Sequence, residues 1–108
     1  MLPEFAKKWK ELDLTDKDLK SLQEELTVFP TKGDAIQGTG GLRKIRFAFE
    51  GRGKSGSVRV CYVDFAVYER IYLITAYSKN EKDNLSKSEC NQVKKLIKLF
   101  ENSIQRGN

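Results

Sequence analysis

The sequence contains no histidine, only two cysteines and only two prolines. Without histidine, the chain has none of the usual zinc sites, Ser-His or Cys-His nucleophile pairs, or imidazole acid-base pairs. Any catalysis would use lysine, arginine, tyrosine, serine or carboxylate side chains, and we expect neither a metal ion nor another cofactor. Cys61 and Cys90 lack CxxC spacing, so we expect them to be reduced residues of the core.

Long apolar runs are also absent, since none approaches the roughly 18 residues that span a bilayer. The opening residues Met1-Leu2-Pro3-Glu4 do not resemble a signal peptide. We therefore expect a cytoplasmic protein that has no membrane contact. The length of 108 residues, with 39% hydrophobic and 32% charged residues, is typical of one globular domain over residues 1–108.

Positive charge is concentrated in the middle of the chain. Residues 37–63 carry six basic side chains and one acidic one, whereas residues 1–36 have a net charge of −2. A basic segment within a balanced domain is typical of a surface that binds an anion, most often a phosphodiester backbone. A solvated charged face is the alternative.

Apolar residues recur at helical spacing in three segments, which we predict to be helices: 3–12, 16–29 and 86–103. The second begins with an N-cap pair, Thr15 and Asp18, and the third with a capping box of Ser86 and Glu89. One face of the third helix also carries several lysines, whose positive charge complements an acidic segment of a partner protein.

A turn-rich connection, residues 30–41, separates the first two helices from segments in which apolar residues alternate with polar ones. We predict three strands there: 42–49, 58–65 and 71–78. The third is nearly continuously apolar, so we expect it to be covered on both faces. The order α-α-β-β-β-α predicts an α+β fold, with a small antiparallel sheet packed against helices.

The first two strands would form a hairpin closed by the loop 50–57. In the simplest register the paired residue numbers sum to 107, which places Arg46 opposite Cys61. This register gathers Lys44, Arg46 and Arg59 on one face of the sheet and apolar residues on the other. A slip of one residue would bury part of the basic set, which argues against it.

Glycine-rich strings in this region do not form a nucleotide-binding motif. The string 51–56 contains Gly-Lys-Ser, but Ala48 stands where a P-loop has its first glycine, and a strand follows instead of a helix. The string 38–41 precedes a strand and is predicted to be a turn.

A stronger pattern is a set of five basic residues on the two strands and their loop: Lys44, Arg46, Arg52, Lys54 and Arg59. Like charges this close repel each other unless an anion joins them. Cations around a phosphate, beside a base with a lowered pKa, suit RNA scission by attack of the 2′-hydroxyl.

Four strings resemble the RelE/HigB toxins of type II toxin–antitoxin systems, most closely the HigB-like branch, over about residues 3–104. They are Gly-Asp-Ala-Ile-Gln-Gly-Thr-Gly-Gly-Leu-Arg-Lys-Ile-Arg, Val-Arg-Val-Cys-Tyr-Val, Ile-Tyr-Leu-Ile-Thr-Ala-Tyr-Ser-Lys-Asn-Glu, and the lysine-rich last helix. The resemblance implies a microbial-RNase-like fold and ribosome-dependent cleavage of mRNA. It also implies a cognate antitoxin of helix-turn-helix type. The toxin would be associated with operator DNA only as part of the complex with this antitoxin.

The resemblance further implies roles for individual residues. Lys44 and Arg46 match basic strand positions with base and phosphate roles, and Arg59 matches the arginine that steadies the scissile phosphate. The last block departs from the RelE pattern, because Asn80 stands where RelE has an arginine and Leu85-Ser86 stands where it has a tyrosine. The expected catalytic residues are Lys44, Arg46, Arg59 and Lys79, and the expected RNA- or phosphate-binding residues are Arg43, Arg52, Lys54, Tyr77 and Asn80.

Two other functions stay open at the level of sequence. One is a ParE-like toxin that acts on gyrase without cutting RNA, although ParE-type chains generally lack the basic set at 44, 46 and 59. The other is a decayed toxin that only binds its antitoxin. The departures in the last block keep this second alternative open.

Overall fold

The computed structural model describes residues 2–47, 58–78, 81–82 and 84–107. These residues form three α-helices: α1 (Pro3–Glu11), α2 (Asp16–Val28) and α3 (Lys87–Gly107). They also form four strands: β1 (Asp34–Ala35), β2 (Leu42–Phe47), β3 (Val58–Phe65) and β4 (Arg70–Ser78). All neighbouring strands are antiparallel, in the order β1-β2-β3-β4, so the predicted α+β fold is confirmed.

Both predicted capping boxes are present. The Asp18 backbone N–H donates to Thr15 Oγ1 at 3.1 Å, and the Thr15 N–H donates to the Asp18 carboxylate at 2.9 Å. Ser86 and Glu89 make the same two bonds before α3, at 3.1 and 2.9 Å. These bonds satisfy backbone N–H groups that a helix start otherwise leaves without partners, and they fix where both helices begin.

One face of the sheet is covered by α1 and α2. Their apolar side chains pack on the strands in one buried cluster: Phe5, Trp9, Leu14, Leu22, Leu26, Ile45, Val58, Val60, Tyr62, Leu73 and Ala76. The Trp9 indole N–H donates to the Thr15 carbonyl oxygen at 3.0 Å and ties the two helices together. This cluster is the larger of the two apolar clusters among the described residues.

The other face is covered by α3, but only in part. Its buried cluster is Leu42, Cys61, Val63, Phe65, Ile74, Tyr77, Ile97 and Ile104. Ile104 extends the apolar stripe of α3, which explains why the helix continues past the predicted end near Ser103. The prediction of one apolar and one basic face was therefore incomplete, because the second face is apolar beneath α3 and basic beyond it.

The predicted register between β2 and β3 was wrong by two residues. Arg46 lies opposite Arg59, and Lys44, not Arg46, lies opposite Cys61. Since side chains alternate with a period of two, this shift leaves each side chain on its predicted face. The grouping of Lys44, Arg46 and Arg59 on one face is confirmed. The loop that closes this hairpin lies outside the described residues.

The connection before β2 contains a strand that the sequence did not predict. β1 pairs with β2 so that Asp34 lies opposite Lys44. The turn that follows is held by the buried Thr39, whose hydroxyl donates to the Ile36 carbonyl at 2.6 Å and accepts from the Leu42 N–H at 3.1 Å. The predicted turn at 38–41 is thus confirmed.

Candidate nucleic-acid interface

A depression of about 380 Å³ opens on the α3 side of the sheet, at the end that the helix leaves uncovered. It is lined by Asp34, Lys44, Arg46, Arg59 and Asn84, and we call it the cationic pocket. Three of its lining residues are the basic ones that the sequence groups on this face. Its size is within the range of small-molecule sites, about 300 to 1,000 Å³.

Arg46 and Arg59 form the centre of the cationic pocket, because they are directly opposed across β2 and β3. Opposed residues of an antiparallel pair have Cα atoms only about 4.5 to 5.5 Å apart, and like charges at this spacing destabilise the pair. Arg46 is exposed, whereas Arg59 is half-buried with its Nη1 atom shielded from solvent. A phosphate between the two guanidinium groups would relieve the repulsion and accept charge-assisted hydrogen bonds from both.

A β-bulge brings Tyr77 to the same face. Cys61 pairs with Thr75, and the next residue, Tyr62, pairs with Leu73, so β4 has one extra residue at this point. The alternation of side chains along β4 is reversed beyond the bulge. As a result Tyr77 lies opposite Arg59, on the basic face of the sheet.

Tyr77 is nevertheless only 1% exposed. Its hydroxyl donates a hydrogen bond to the Cys61 sulfur, and the ammonium of Lys82 lies 5.2 Å from the centre of its ring. Burial, and then the neighbouring Cys61, raise the pKa of Tyr77 well above its usual value, and burial likewise raises the pKa of Cys61 to about 11. Both groups therefore stay protonated at neutral pH, and the buried ring of Tyr77 offers no open face on which a nucleobase could stack.

The segment before α3 forms one wall of the cationic pocket. The Lys44 ammonium donates to Asn84 Oδ1 at 2.9 Å, and the Lys82 ammonium donates to Glu89 Oε2 at 2.6 Å. The bonds from Lys82, and then from the Ser86 backbone, lower the pKa of Glu89 below its usual value. The bond from Lys44 fixes Asn84 at the pocket, and a separate set of bonds joins Lys82 to the capping box of α3.

Arg43 has a different position from the other predicted basic residues. It lies one residue before Lys44 on β2, and its guanidinium donates to the Gly33 carbonyl at 2.7 Å and to the Thr31 carbonyl at 3.3 Å. It does not line the cationic pocket. These hydrogen bonds fix the backbone of the segment that connects α2 with β1.

The structure thus places Lys44, Arg46 and Arg59 together, and Tyr77 beside them but buried. Four further predicted site residues, Arg52, Lys54, Lys79 and Asn80, lie outside the described residues. Asp34, Lys82 and Asn84 were not among the site residues predicted from the sequence. Asp34 lies in a turn-rich segment whose strand pairing leaves no periodic signal, and Asn84 comes near Lys44 only through long-range packing.

The described residues contain neither a metal-binding cluster nor a membrane-spanning helix. No group of three or more His, Cys, Asp or Glu side chains there could hold a metal ion. No helix in the same part of the chain combines the length and apolar character needed to cross a membrane.

The sequence also matches a known protein family. The sequence model of the family described as "RelE toxin of RelE / RelB toxin-antitoxin system" matches residues 3–106. The match includes α1, α2, all four strands and nearly all of α3, so it covers every element that forms the cationic pocket. The chain belongs to the RelE toxin family of toxin–antitoxin systems.

Proposed function

We propose that this toxin is a ribosome-dependent, metal-independent endoribonuclease that cleaves mRNA in the cytoplasm and thereby inhibits translation. The observation that carries the proposal is the direct opposition of Arg46 and Arg59, with Lys44 beside them in the cationic pocket. Opposed like charges cost stability, and an anion bound between them offsets that cost. This arrangement suits a dianionic phosphorane, which gains most from cations that are already in place.

The proposed reaction is attack of the 2′-oxygen on the adjacent phosphorus. The new bond joins O2′ to phosphorus, the bond from phosphorus to O5′ breaks, the 2′-hydroxyl loses a proton and the leaving O5′ gains one. Arg46 and Arg59 would hold the phosphate oxygens, and Lys44 would stabilise the charge that develops. Lys79 is the proposed partner in proton transfer, because the buried Tyr77 hydroxyl already donates to Cys61.

The lack of histidine is one reason why we propose dependence on the ribosome. With no histidine and few acid-base groups, the pocket has little means of aligning a flexible RNA strand for in-line attack. An mRNA held in the decoding site is already ordered, and such ordering can supply a large part of the rate enhancement. We propose the ribosome and its mRNA as the target.

The family also implies an antitoxin partner for this chain. We propose that the antitoxin is of helix-turn-helix type and that operator DNA is contacted only through the toxin–antitoxin complex. Assignment to the HigB-like branch likewise stays a prediction.

Mapping of the 5′ ends of cellular transcripts after brief induction tests the proposal. We expect new ends in phase with the reading frame, and purified protein should cut free RNA negligibly at concentrations that cut ribosome-bound mRNA. A gyrase poison would arrest growth without in-frame ends, and a decayed toxin would cause no arrest. Efficient cutting of free RNA at the same concentration would contradict the ribosome requirement.

A further inference from the structure

The segment before α3 brings the side chain of Asn84 to the cationic pocket. Asn84 belongs to the block of sequence in which Asn80 and Leu85-Ser86 depart from the RelE pattern. The structure places Asn84 among the residues that line the pocket, and its side chain is exposed there. This block therefore supplies a polar group to the pocket at a position that the sequence pattern does not single out.

The contact with Lys44 determines the orientation of the Asn84 amide. A lysine ammonium only donates hydrogen bonds, so the amide atom that it contacts at 2.9 Å must be the acceptor, Oδ1. The Nδ2 amino group is then on the other arm of the amide. No acceptor among the described residues is bonded to Nδ2, so its two N–H groups are open to a ligand in the pocket.

The backbone on both sides of Asn84 is held by one carboxylate. Glu89 accepts from the Lys82 ammonium through Oε2 at 2.6 Å, and from the Ser86 backbone N–H through Oε1 at 2.9 Å. Lys82 lies two residues before Asn84, and Ser86 lies two residues after it. Because the start of α3 fixes both flanks of the segment, the amide is presented to the pocket from a supported position, as a specific contact requires.

The amide and the ammonium together suit an anionic oxygen. Because the amide is neutral, it holds Lys44 without cancelling positive charge, whereas a carboxylate at this position would reduce the attraction for a phosphate. The two groups are in direct contact, so a phosphate oxygen drawn to Lys44 comes within reach of the Asn84 amino group. That amino group would add an uncharged donor to the cations of the pocket.

We infer that Asn84 donates a hydrogen bond to an oxygen of the scissile phosphate and, through the same amide, positions the Lys44 ammonium. The inference rests on the proposed function, since it concerns the phosphate that this pocket would cleave. It assigns a phosphate contact to the block that lacks the arginine and the tyrosine of the RelE pattern.

The test measures single-turnover cleavage of mRNA on programmed ribosomes over a range of toxin concentrations. Asn84→Ala should lower the rate at saturating toxin about tenfold, because a hydrogen bond to a charged group is lost. The toxin concentration that gives half of this rate should change little, because the ribosome holds the mRNA in both cases. In a Lys44→Ala background the same substitution should lower the rate only about threefold, since it no longer misplaces the ammonium.

Two further variants sharpen the test. Asn84→Asp keeps an acceptor for Lys44 but replaces the donor by a negative charge, so it should be slower than Asn84→Ala. Asn102→Ala removes an exposed amide from α3 and is the matched control, which should keep the wild-type rate. The unfolding midpoint of Asn84→Ala should equal that of the wild type, because the side chain is exposed.

Four results would overturn the inference while the ribonuclease proposal stood. An unchanged saturating rate of Asn84→Ala would remove Asn84 from the site, and an equal loss with and without Lys44 would show that the amide does not position the lysine. Asn84→Asp with the wild-type rate would show that no donor at this position contacts the phosphate. A lower unfolding midpoint for Asn84→Ala would indicate a structural role instead. Absence of any wild-type cleavage would overturn the proposed function, and the inference with it.

Discussion

The two ends of the β2–β3 pair differ sharply on the side of the sheet that faces α3. At one end Leu42 and Val63 are opposed, buried and covered by the helix. At the other end, four residues along the same strand, Arg46 and Arg59 are opposed and open to the cationic pocket. The same backbone arrangement thus buries apolar side chains at one end and opposes two cations at the other.

We propose that this difference separates stability from function. Burial of apolar area is the main favourable contribution to folding, and it is concentrated where helices cover the sheet. Opposed like charges reduce stability, and they occur where no helix covers the strands. Substitutions at the two ends should therefore affect different measurements.

The largest expected effect is on the covered end. Leu42 is 0% exposed, and Leu42→Ala should lower the free energy of unfolding by about 3 kcal/mol through lost burial and the remaining cavity. Urea denaturation monitored by circular dichroism measures it. Arg46→Ala, on the same strand and face, is the matched control and should lower stability much less, because Arg46 is exposed and its loss leaves no buried cavity. A lower stability for Arg46→Ala than for Leu42→Ala would contradict the proposed separation.

The largest effect on activity belongs to the open end. Arg59→Ala should slow cleavage about a hundredfold, or about 3 kcal/mol in the transition state, and abolish growth arrest. Cleavage rates on programmed ribosomes measure it, and antitoxin affinity and the unfolding midpoint should change little. Arg70→Ala removes an exposed arginine at the start of β4 and serves as the control. Full toxicity of Arg59→Ala would remove Arg59 from the site.

A smaller effect is expected at the anchor of β1. Tyr62→Phe deletes the hydroxyl that bonds both Gly33 and Pro30, leaving two backbone groups in a buried region. The loss should be about 1 to 3 kcal/mol of stability, with faster hydrogen exchange confined to the amide of Gly33 and its neighbours. Tyr68→Phe, at a half-buried tyrosine in the turn between β3 and β4, provides the comparison. Unchanged exchange at Gly33 would contradict an anchoring role for the hydroxyl.

The smallest effect concerns the outer surface of α3, where Lys94 and Lys98 are exposed. If this surface binds an acidic antitoxin segment, Lys94→Glu with Lys98→Glu should slow association and weaken its salt dependence, while dissociation changes less. Stopped-flow measurements at two salt concentrations test this. The same double charge reversal on α2, Lys17→Glu with Lys20→Glu, should have no effect. An unchanged association rate at low salt for the α3 variant would exclude this surface as the antitoxin site.

The helices could be predicted from the sequence because their signals are local. Thr15 with Asp18, and Ser86 with Glu89, each lie within one helical turn, and both pairs form the hydrogen bonds that their spacing indicates. The helix α3 continues past its predicted end near Ser103, because Ile104, which shares the apolar spacing visible in the sequence, is buried in the cluster beneath the helix.

The strand pairing was harder to predict for a physical reason. Apolar patterning detects a slip of one residue, which exchanges the faces, but not a slip of two, which preserves them. The basic residues were therefore placed on the correct face with incorrect partners. The bulge beside Cys61 left no signal because β4 is apolar on both sides of it.

The pocket walls were the least predictable part. Asp34 lies opposite Lys44 only because a two-residue strand pairs with β2. Asn84 forms a hydrogen bond with Lys44 although the two residues are 40 positions apart in the sequence. Arg43 could not be distinguished by composition from the basic residues beside it. Its bonds to the backbone of Thr31 and Gly33 depend on how the connection folds against β2.

The close approach of Tyr62 to Gly33 determines which residues position 33 tolerates. A Cβ atom there would lie 2.9 Å from both the Cε1 and the hydroxyl oxygen of Tyr62, and 3.0 Å from the Lys44 carbonyl oxygen. Even alanine would push β1 away from β2, on the strand that carries Asp34. In a saturation library selected for growth arrest, position 33 should therefore retain glycine alone, whereas the exposed Gln37 a few residues later accepts most side chains.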